Sequence, residues 1–308
     1  MGACKAIAMI LVLLGMLFFG CESGPRISTV EGTATFECDE SLYPVMQLLA
    51  ADFIRSYPKA NIILRSVEAR EATANFVMDS TRHIILGREL NKDEQEAVVL
   101  GKIEKEGYRV ALDAVAVISH KSNPVKELSV GLLDSIFSAA VSRWPGRKGS
   151  PLIDVVIGGV NSSTNEVFRE KILKGRALGL TAIPYSSSQQ LVEYVKGNPN
   201  AIGIVGLSWL AGIQDSVTVF SLSTPGERPD TTQPYGRPYP PVQAHIHRGY
   251  YPLTRPVYIY NREVLRSVGY GFISYVNSAV GQKLFLSNGL VPVTMPVRLV
   301  NLTSQEVK

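Results

Sequence analysis

The sequence predicts an α/β fold with two lobes, each built from a sheet flanked by helices. Between residues 33 and 86, strand-like and helix-like segments alternate in the order βαβαβ, which predicts parallel strands covered by helices. The alternation begins again at residue 108 and continues beyond residue 200. At 308 residues, the chain is long enough to form two hydrophobic cores.

The first half of the chain supplies the clearest periodicity. Leu42, Val45, Leu49 and Phe53 recur at helical spacing, with Ser41 before them as a candidate cap. The flanking segments follow the alternation. They are strands at 33–38, 60–67 and 83–86, and a helix at 68–78.

The second half contains a long apolar strand, 108–120, and a proline-rich segment, 225–241, that predicts an extended loop. The other elements continue the pattern. They are helices at 129–138, 166–175 and 264–288, and strands at 152–158, 201–206, 217–223 and 257–260. We expect the chain to cross between the lobes near residues 111–117 and 253–258.

The N-terminus has the features of a secretory signal. Lys5 precedes fifteen uncharged residues, 6–20, a run too short for a typical membrane-spanning helix. Cys21 follows Gly20, which is the arrangement of a bacterial lipobox, although Phe18 stands where most lipoboxes have Leu. We expect cleavage before Cys21 and its lipidation; the alternative is a plain signal peptide or membrane anchor.

Charge and cysteine content exclude several function classes. The net charge of +4 becomes +3 when Lys5 is removed, which is too mild to indicate a nucleic-acid partner. Cys38 is the one cysteine that follows Cys21, so the mature chain has no internal disulfide and one free thiol. We find no nucleophile elbow and no metal-ligand spacing, since His245 and His247 lack a third ligand, so neither catalysis nor a cofactor is predicted.

Several segments together resemble one family. They are YRVALDAVAVISHKSNP (108–124), NPNAIGIVGLSWL (198–210), YPLTRPVYIYNRE (251–263), GFISYVNSAVGQKLFLSNGLVPV (271–293), SLYP (41–44) and GREL (87–90). The chain resembles the phosphate-binding proteins of bacterial ABC importers. The resemblance implies a two-lobed type II periplasmic-binding-protein fold, each lobe a mixed sheet flanked by helices, that closes on an oxyanion and passes it to a membrane permease.

The N-terminal signal, the two expected crossings and the two-lobed fold together give the domain boundaries. We assign residues 1–20 to a lipoprotein signal peptide and 21–31 to a tether. Lobe 1 is then formed by 32–112 and 256–308, and lobe 2 by 113–255. We expect an extracytoplasmic monomer attached to a membrane through Cys21.

The resemblance also implies where the ligand binds, although the loops depart from the family pattern. Cys38-Asp39-Glu40-Ser41 stands where the family has Gly-Ser-Ser-Thr, and Gly158 and Val160 stand at its usual Arg and Asp positions. The hydroxyl cluster survives. We assign ligand binding to Asp39, Ser41, Leu42, Arg88, Ser162, Ser163 and Thr164.

Each assignment has a structural alternative. Ser163 and Glu166 form a candidate capping box, which stabilises a helix by about 1 kcal/mol without any ligand. Arg88 has the right fork for an oxyanion, or it forms a salt bridge. Asp39 either accepts the proton of a monohydrogen phosphate, or it only stabilises the start of the following helix through the helix dipole.

Two further functions remain open at this point. The altered loops are compatible with another oxyanion, a carboxylate or a small organic solute in place of phosphate. The other function is that of a non-transport sensor or scaffold lipoprotein with the same fold; a scaffold would show no saturable affinity for a small molecule.

Overall fold

The computed structural model describes residues 27–144, 151–224, 236–263 and 266–294. The strands are β1 Gly32–Asp39, β2 Ala60–Val67, β3 His83–Leu86, β4 Glu106–His120, β5 Glu127–Ser129, β6 Asp154–Ile157, β7 Ile183–Pro184, β8 Ala201–Gly206, β9 Val217–Val219, β10 Ser221–Ser223, β11 Thr254–Asn261 and β12 Val291–Pro292. The α-helices are α1 Tyr43–Ser56, α2 Ala69–Val77, α3 Lys92–Leu100, α4 Val130–Phe137, α5 Ser163–Lys171, α6 Ser188–Gly197, α7 Gln243–His247, α8 Val268–Asn277 and α9 Ala279–Ser287. Short 3-10 helices cover Glu40–Leu42, Leu207–Leu210 and Gln214–Ser216.

The first half-sheet consists of β1, β2, β3, β11, β12 and the beginning of β4. β1 lies between β2 and β3 and runs parallel to both, which confirms the parallel order predicted from the βαβαβ alternation. β11 closes this half-sheet, antiparallel to both β3 and β4. Parallel strands place their carboxyl ends at one edge, so the turns after β1 and β3 lie side by side.

β4 joins the two halves of a mixed sheet. Its residues up to Ala114 pair with β11, and those from Val115 to Ser119 pair with β8. The second half-sheet therefore consists of the end of β4 with β8, β6, β7 and β9, in which β6 is parallel to β8 and to β7. Charged residues are rare along β4 because most of the strand is buried.

Each half-sheet has its own core. In the first, the rings of Phe36 and Phe53 both pack on Phe272, with centroids 5.2 and 5.6 Å away. In the second, Phe137 and Phe168 lie 4.5 Å apart between centroids. Each fully buried side chain of this size stabilises the fold by about 1.5–3 kcal/mol, so apolar packing stabilises each half-sheet separately.

The structure corrects several boundaries. The segment 264–288 contains two helices, since Ser278 ends α8 and caps α9, and 217–223 forms two strands separated at Phe220. α3 was not predicted because it buries little apolar surface; the capping box of Asn91 and Glu94 starts it instead. His247 and His245 lie in α7, not on a strand.

The predicted signal, residues 1–20, and Cys21 lie outside the described residues, as does most of the proline-rich segment. Within the part of the chain that is described, we find no helix with the length and apolar character needed to cross a membrane.

Candidate functional site

The predicted site residues converge where β1, β3 and β6 end. Asp39 and Ser163 are fully buried there, and the other predicted polar side chains are almost so. The structure thereby brings together Asp39, Ser41, Arg88, Ser162, Ser163 and Thr164. Since β1 and β3 belong to the first half-sheet and β6 to the second, these residues meet across the boundary between the halves.

Asp39 organises the turn after β1. One carboxylate oxygen, Oδ1, accepts the backbone N–H of Ser41 at 2.9 Å and the Ser41 hydroxyl at 2.8 Å. This makes Asp39 the cap of the 3-10 helix Glu40–Leu42. The prediction of Ser41 as the cap of α1 is therefore wrong: the residue before α1 is Leu42, which makes no capping bond through its side chain.

The second oxygen of Asp39 reaches the other half of the molecule. Oδ2 accepts the backbone N–H of Ser163 at 2.9 Å, at the beginning of α5. The first N–H groups of a helix have no partner within it and lie at the positive end of its dipole. A carboxylate oxygen thus occupies a position that suits an oxyanion.

The start of α5 differs from the predicted capping box. The cap is Ser162, whose hydroxyl accepts the N–H of Asn165 at 3.3 Å. Ser163 is the first helical residue, and its hydroxyl accepts the N–H of Gly87 at 3.1 Å. Glu166 contacts Arg70 and Arg88 and makes no capping bond. The capping-box prediction is wrong because Ser162 and Ser163 are the same residue type, and only the hydroxyl of Ser162 is turned toward the start of the helix.

Arg255, on β11, is the cation at the centre of the site. Its guanidinium donates to Asp113 Oδ2 at 2.7 and 2.9 Å and to the hydroxyl of Thr164 at 3.1 Å. Neither the Arg255 nor the Asp113 side chain is accessible to solvent. Burial raises the pKa of Asp113, and the charge of Arg255 opposes that shift.

Sequence analysis missed this pair, although a signal was available. Asp113 interrupts an apolar strand, and Arg255 stands just before a proline in another. A charge in a buried strand requires a partner of opposite sign. On that ground, Asp113 and Arg255 could have been predicted from the sequence to form a buried ion pair.

Two glycines make room for the guanidinium of Arg255. A Cβ at Gly87 would lie 2.8 Å from Nη1, and one at Gly206 would lie 2.7 Å from Nη2 and 2.5 Å from the carbonyl oxygen of Ser41. Any larger residue at either position would push the guanidinium or the Ser41 backbone aside. The backbone just after β3 and at the last residue of β8 thus lies directly against the guanidinium.

Arg88 is buried, and carboxylates surround it. It forms a two-pronged pair with Glu94, at 2.7 and 2.8 Å, and contacts Glu166 across the boundary between the halves. Burial alone would lower the pKa of Arg88, but the hydrogen bonds to Glu94 and the charges of Glu94 and Glu166 raise it. In this arrangement the Arg88 charge is already compensated by protein groups.

Two further carboxylates cross the same boundary. Glu40 accepts the backbone N–H and the hydroxyl of Ser188, at the start of α6, at 2.9 and 2.7 Å. Glu68 accepts the N–H of Asn161 at 3.0 Å. Burial raises the pKa of Glu40, and the hydrogen bonds from Ser188 oppose the shift. We refer to Asp39, Glu40 and Glu68 as the bridging carboxylates.

Leu42 and Cys38 flank the site from the core side. The Leu42 side chain is fully buried in the core of the first half-sheet, so only its backbone faces the turn. Cys38 is a free, buried cysteine, as the sequence predicted, and burial with the charges of Asp39 and Glu40 raises its thiol pKa. Neither side chain is positioned for ligand chemistry.

A groove of about 670 Å³ opens beside the site. Arg70, Arg88, Arg169 and Glu166 contribute to its wall. Asp39, Ser41 and Ser163 are not part of this wall. Asp39 and Ser163 have no solvent-accessible surface, so the point where Asp39 meets α5 is filled by protein.

Comparison with known proteins gives the same family that the sequence segments resemble. Residues 24–280 match the family described as the PBP superfamily domain. The phosphate-binding protein PstS of Pseudomonas aeruginosa is 24% identical over 304 residues, covering 92% of this chain and 89% of the relative. The PstS of Staphylococcus haemolyticus is 24% identical, covering 82% and 78%.

Solved structures give the same fold. A Clostridium perfringens protein crystallised with bound phosphate, named for substrate binding in phosphate ABC transport, has a TM-score of 0.72 at 23% identity. The match covers 85% of this chain and 100% of that one. The two-lobed type II fold expected from the sequence is thereby confirmed.

Proposed function

This chain belongs to the PBP superfamily, and from that membership we propose that it is an extracytoplasmic solute-binding protein that captures phosphate and delivers it to an ABC permease. Relatives over most of its length are named as phosphate-binding proteins. The family binds substrates for transport, so the proposed role is binding and not catalysis.

One observation carries the proposal. The N–H of Ser163 holds a carboxylate oxygen at 2.9 Å, and the Ser41 hydroxyl donates to the same carboxylate. A carboxylate and a phosphate present the same kind of acceptor to such donors. Arg255 adds a positive charge on the same side, since its guanidinium donates a hydrogen bond to the hydroxyl of Thr164. The donors suit an oxyanion, and their burial excludes water from competing.

A binding assay tests this function. Calorimetry on residues 22–308 should give saturable binding of phosphate at one site per chain, and phosphate at a hundred times its Kd should stabilise the fold by about 2.7 kcal/mol. Ser41→Ala should weaken binding because a buried hydroxyl donor is lost. Ser129→Ala, which removes the exposed cap of α4, is the matched control. Saturable binding of sulfate or a carboxylate without phosphate would reassign the ligand.

A non-transport sensor or scaffold is a second candidate. The bridging carboxylates already occupy N–H groups that a ligand would need. A scaffold of this kind should show no saturable affinity for phosphate, sulfate, molybdate or carboxylates. Measurable affinity for any of them would remove the scaffold.

We also propose that the lobes are divided as 32–112 with 256–308, and 113–255. In support, β4 exchanges its partner β11 for β8 between Ala114 and Val115. A crystal structure of an open form would test the division. Each set should superpose as a rigid body, with dihedral changes confined to β4 near 113 and β11 near 255; changes spread through either set would contradict it.

Attachment through a lipid on Cys21 completes the proposal. The apolar run and Gly20 before Cys21 support it. Cys21→Ser should release the protein from membranes, and the released chain should behave as a monomer in light scattering. If the variant stays in the membrane fraction uncleaved, the segment is an anchor and not a lipoprotein signal.

A further inference from the structure

The bridging carboxylates all point in one direction across the cleft. Asp39 and Glu40 follow β1, and Glu68 follows β2, so all three come from the first half-sheet. Their acceptor bonds go to N–H groups of the second: Ser163 in α5, Ser188 in α6 and Asn161 in the turn before α5. The two halves are thus joined by the same donors that would close a cleft around an oxyanion.

The packing around these bonds leaves little room for a ligand. Asp39 has no solvent-accessible surface. A Cβ on Gly159 would lie 1.8 Å from Glu68 Oε1, so this carboxylate lies directly against the backbone of the second half. The Asp39 oxygen accepts the Ser163 N–H at 2.9 Å, an ordinary distance for a charged acceptor.

The nearby cations are already paired. Arg88 is bound by Glu94 and Glu166, and Arg255 by Asp113. An incoming phosphate dianion would therefore meet donors held by Asp39 and positive charges held by other carboxylates. Two like charges at one buried position are strongly unfavourable, so the carboxylate and the ligand exclude each other.

From this arrangement we propose that the bridging carboxylates are tethered counterparts of the ligand: they hold the cleft closed in its absence, and free phosphate binds only by displacing Asp39. A tethered group acts at a high effective concentration and costs little entropy on binding. It therefore lowers the apparent affinity for any free oxyanion. The second part of this inference rests on the proposed function; the closure does not.

Small-angle scattering tests the closure without any ligand. The ligand-free protein should scatter as the closed structure does. The triple variant Asp39→Ser, Glu40→Ser, Glu68→Ala should have a larger radius of gyration, because the three carboxylates that accept N–H groups of the second half are gone. The matched control is Asp215→Ser, Glu96→Ser, Glu193→Ala, which removes three exposed carboxylates and should leave the radius unchanged. An open wild type, or a triple variant that stays closed, overturns the proposal.

Calorimetry tests the displacement. Asp39→Ser should bind phosphate about tenfold more tightly than wild type or better, since a charged hydrogen bond no longer competes. Asp215→Ser should bind as wild type does. Asp39→Asn removes the charge but keeps the shape, and serves if the serine variant does not fold.

The outcomes separate the two proposals. Phosphate binding that is unchanged or weaker in both Asp39 variants overturns the displacement and leaves the proposed function intact. A triple variant that opens while no protein binds phosphate supports the closure and overturns the proposed function.

Discussion

The pair of Asp113 and Arg255 gives the sharpest prediction for stability. Both side chains are inaccessible to solvent, and two N–H donors of Arg255 meet one oxygen of Asp113 at 2.7 and 2.9 Å. Asp113→Asn leaves the guanidinium buried without its counter-charge. Breaking such a pair from one side costs about 3–5 kcal/mol, and the complete burial here favours the upper part of that range.

Urea denaturation measures the loss. With a slope of about 2–3 kcal/mol per molar urea, the midpoint should fall by roughly 1.5 M. Replacing both partners, with Asp113→Leu and Arg255→Met, should recover most of the loss because no unpaired charge remains. Asp134→Asn is the control: its pair with Arg176 is partly exposed and stabilises by about 1 kcal/mol at most.

Two results would refute this reasoning. A loss below about 1 kcal/mol for Asp113→Asn would mean that the charge of Arg255 is compensated elsewhere or reaches water. A double variant less stable than the single one would mean that the residues stabilise the fold through shape or through the bond to Thr164, and not as a charge pair.

Three other predictions follow from single residues. Cys38 should not react with a thiol reagent in the native protein, because the side chain is buried and burial raises the pKa of its thiol. The denatured chain without residues 1–21 should give one reactive thiol, and a native thiol that reacts at once would contradict the burial. Burial lowers the pKa of His83, although Glu263 opposes the shift, so the unfolded chain binds a proton more readily than the folded one. The free energy of unfolding should therefore fall as the pH drops below about 6.5, and His83→Phe should reduce that slope; an unchanged slope would contradict the shift. Ser162→Ala should cost about 1 kcal/mol of stability and Ser162→Gly only a few tenths, whereas equal losses would show that Ser162 is not the cap of α5.

Sequence reasoning succeeded where periodicity and burial agree. β1 to β3 and their parallel order follow from apolar runs that alternate with amphipathic helices. α3 escaped it because only Val98 of that helix is buried. The serine cluster at α5 was found, but which of two adjacent serines caps the helix depends on backbone dihedrals that composition does not encode.

The bridging carboxylates show the remaining limit. Acidic residues at 39 and 40 are compatible with a simple dipole effect at a helix start, which is how the sequence presents them. Their actual partners, Ser163 and Ser188, belong to helices in the other half. Nothing local to residues 38–41 specifies those partners, so their role emerges only from the tertiary arrangement.

The position of β11 has a consequence for how quickly the chain can fold. β11 lies between β3 and β4, yet it is made only after the whole second half-sheet has been synthesised. The first half-sheet cannot close until this late strand arrives, and such non-local pairing slows folding because a large loop must be ordered first. A partial chain that ends before residue 254 would expose the flanks of β3 and β4. Slow closure would prolong the interval in which a newly made chain is still unfolded.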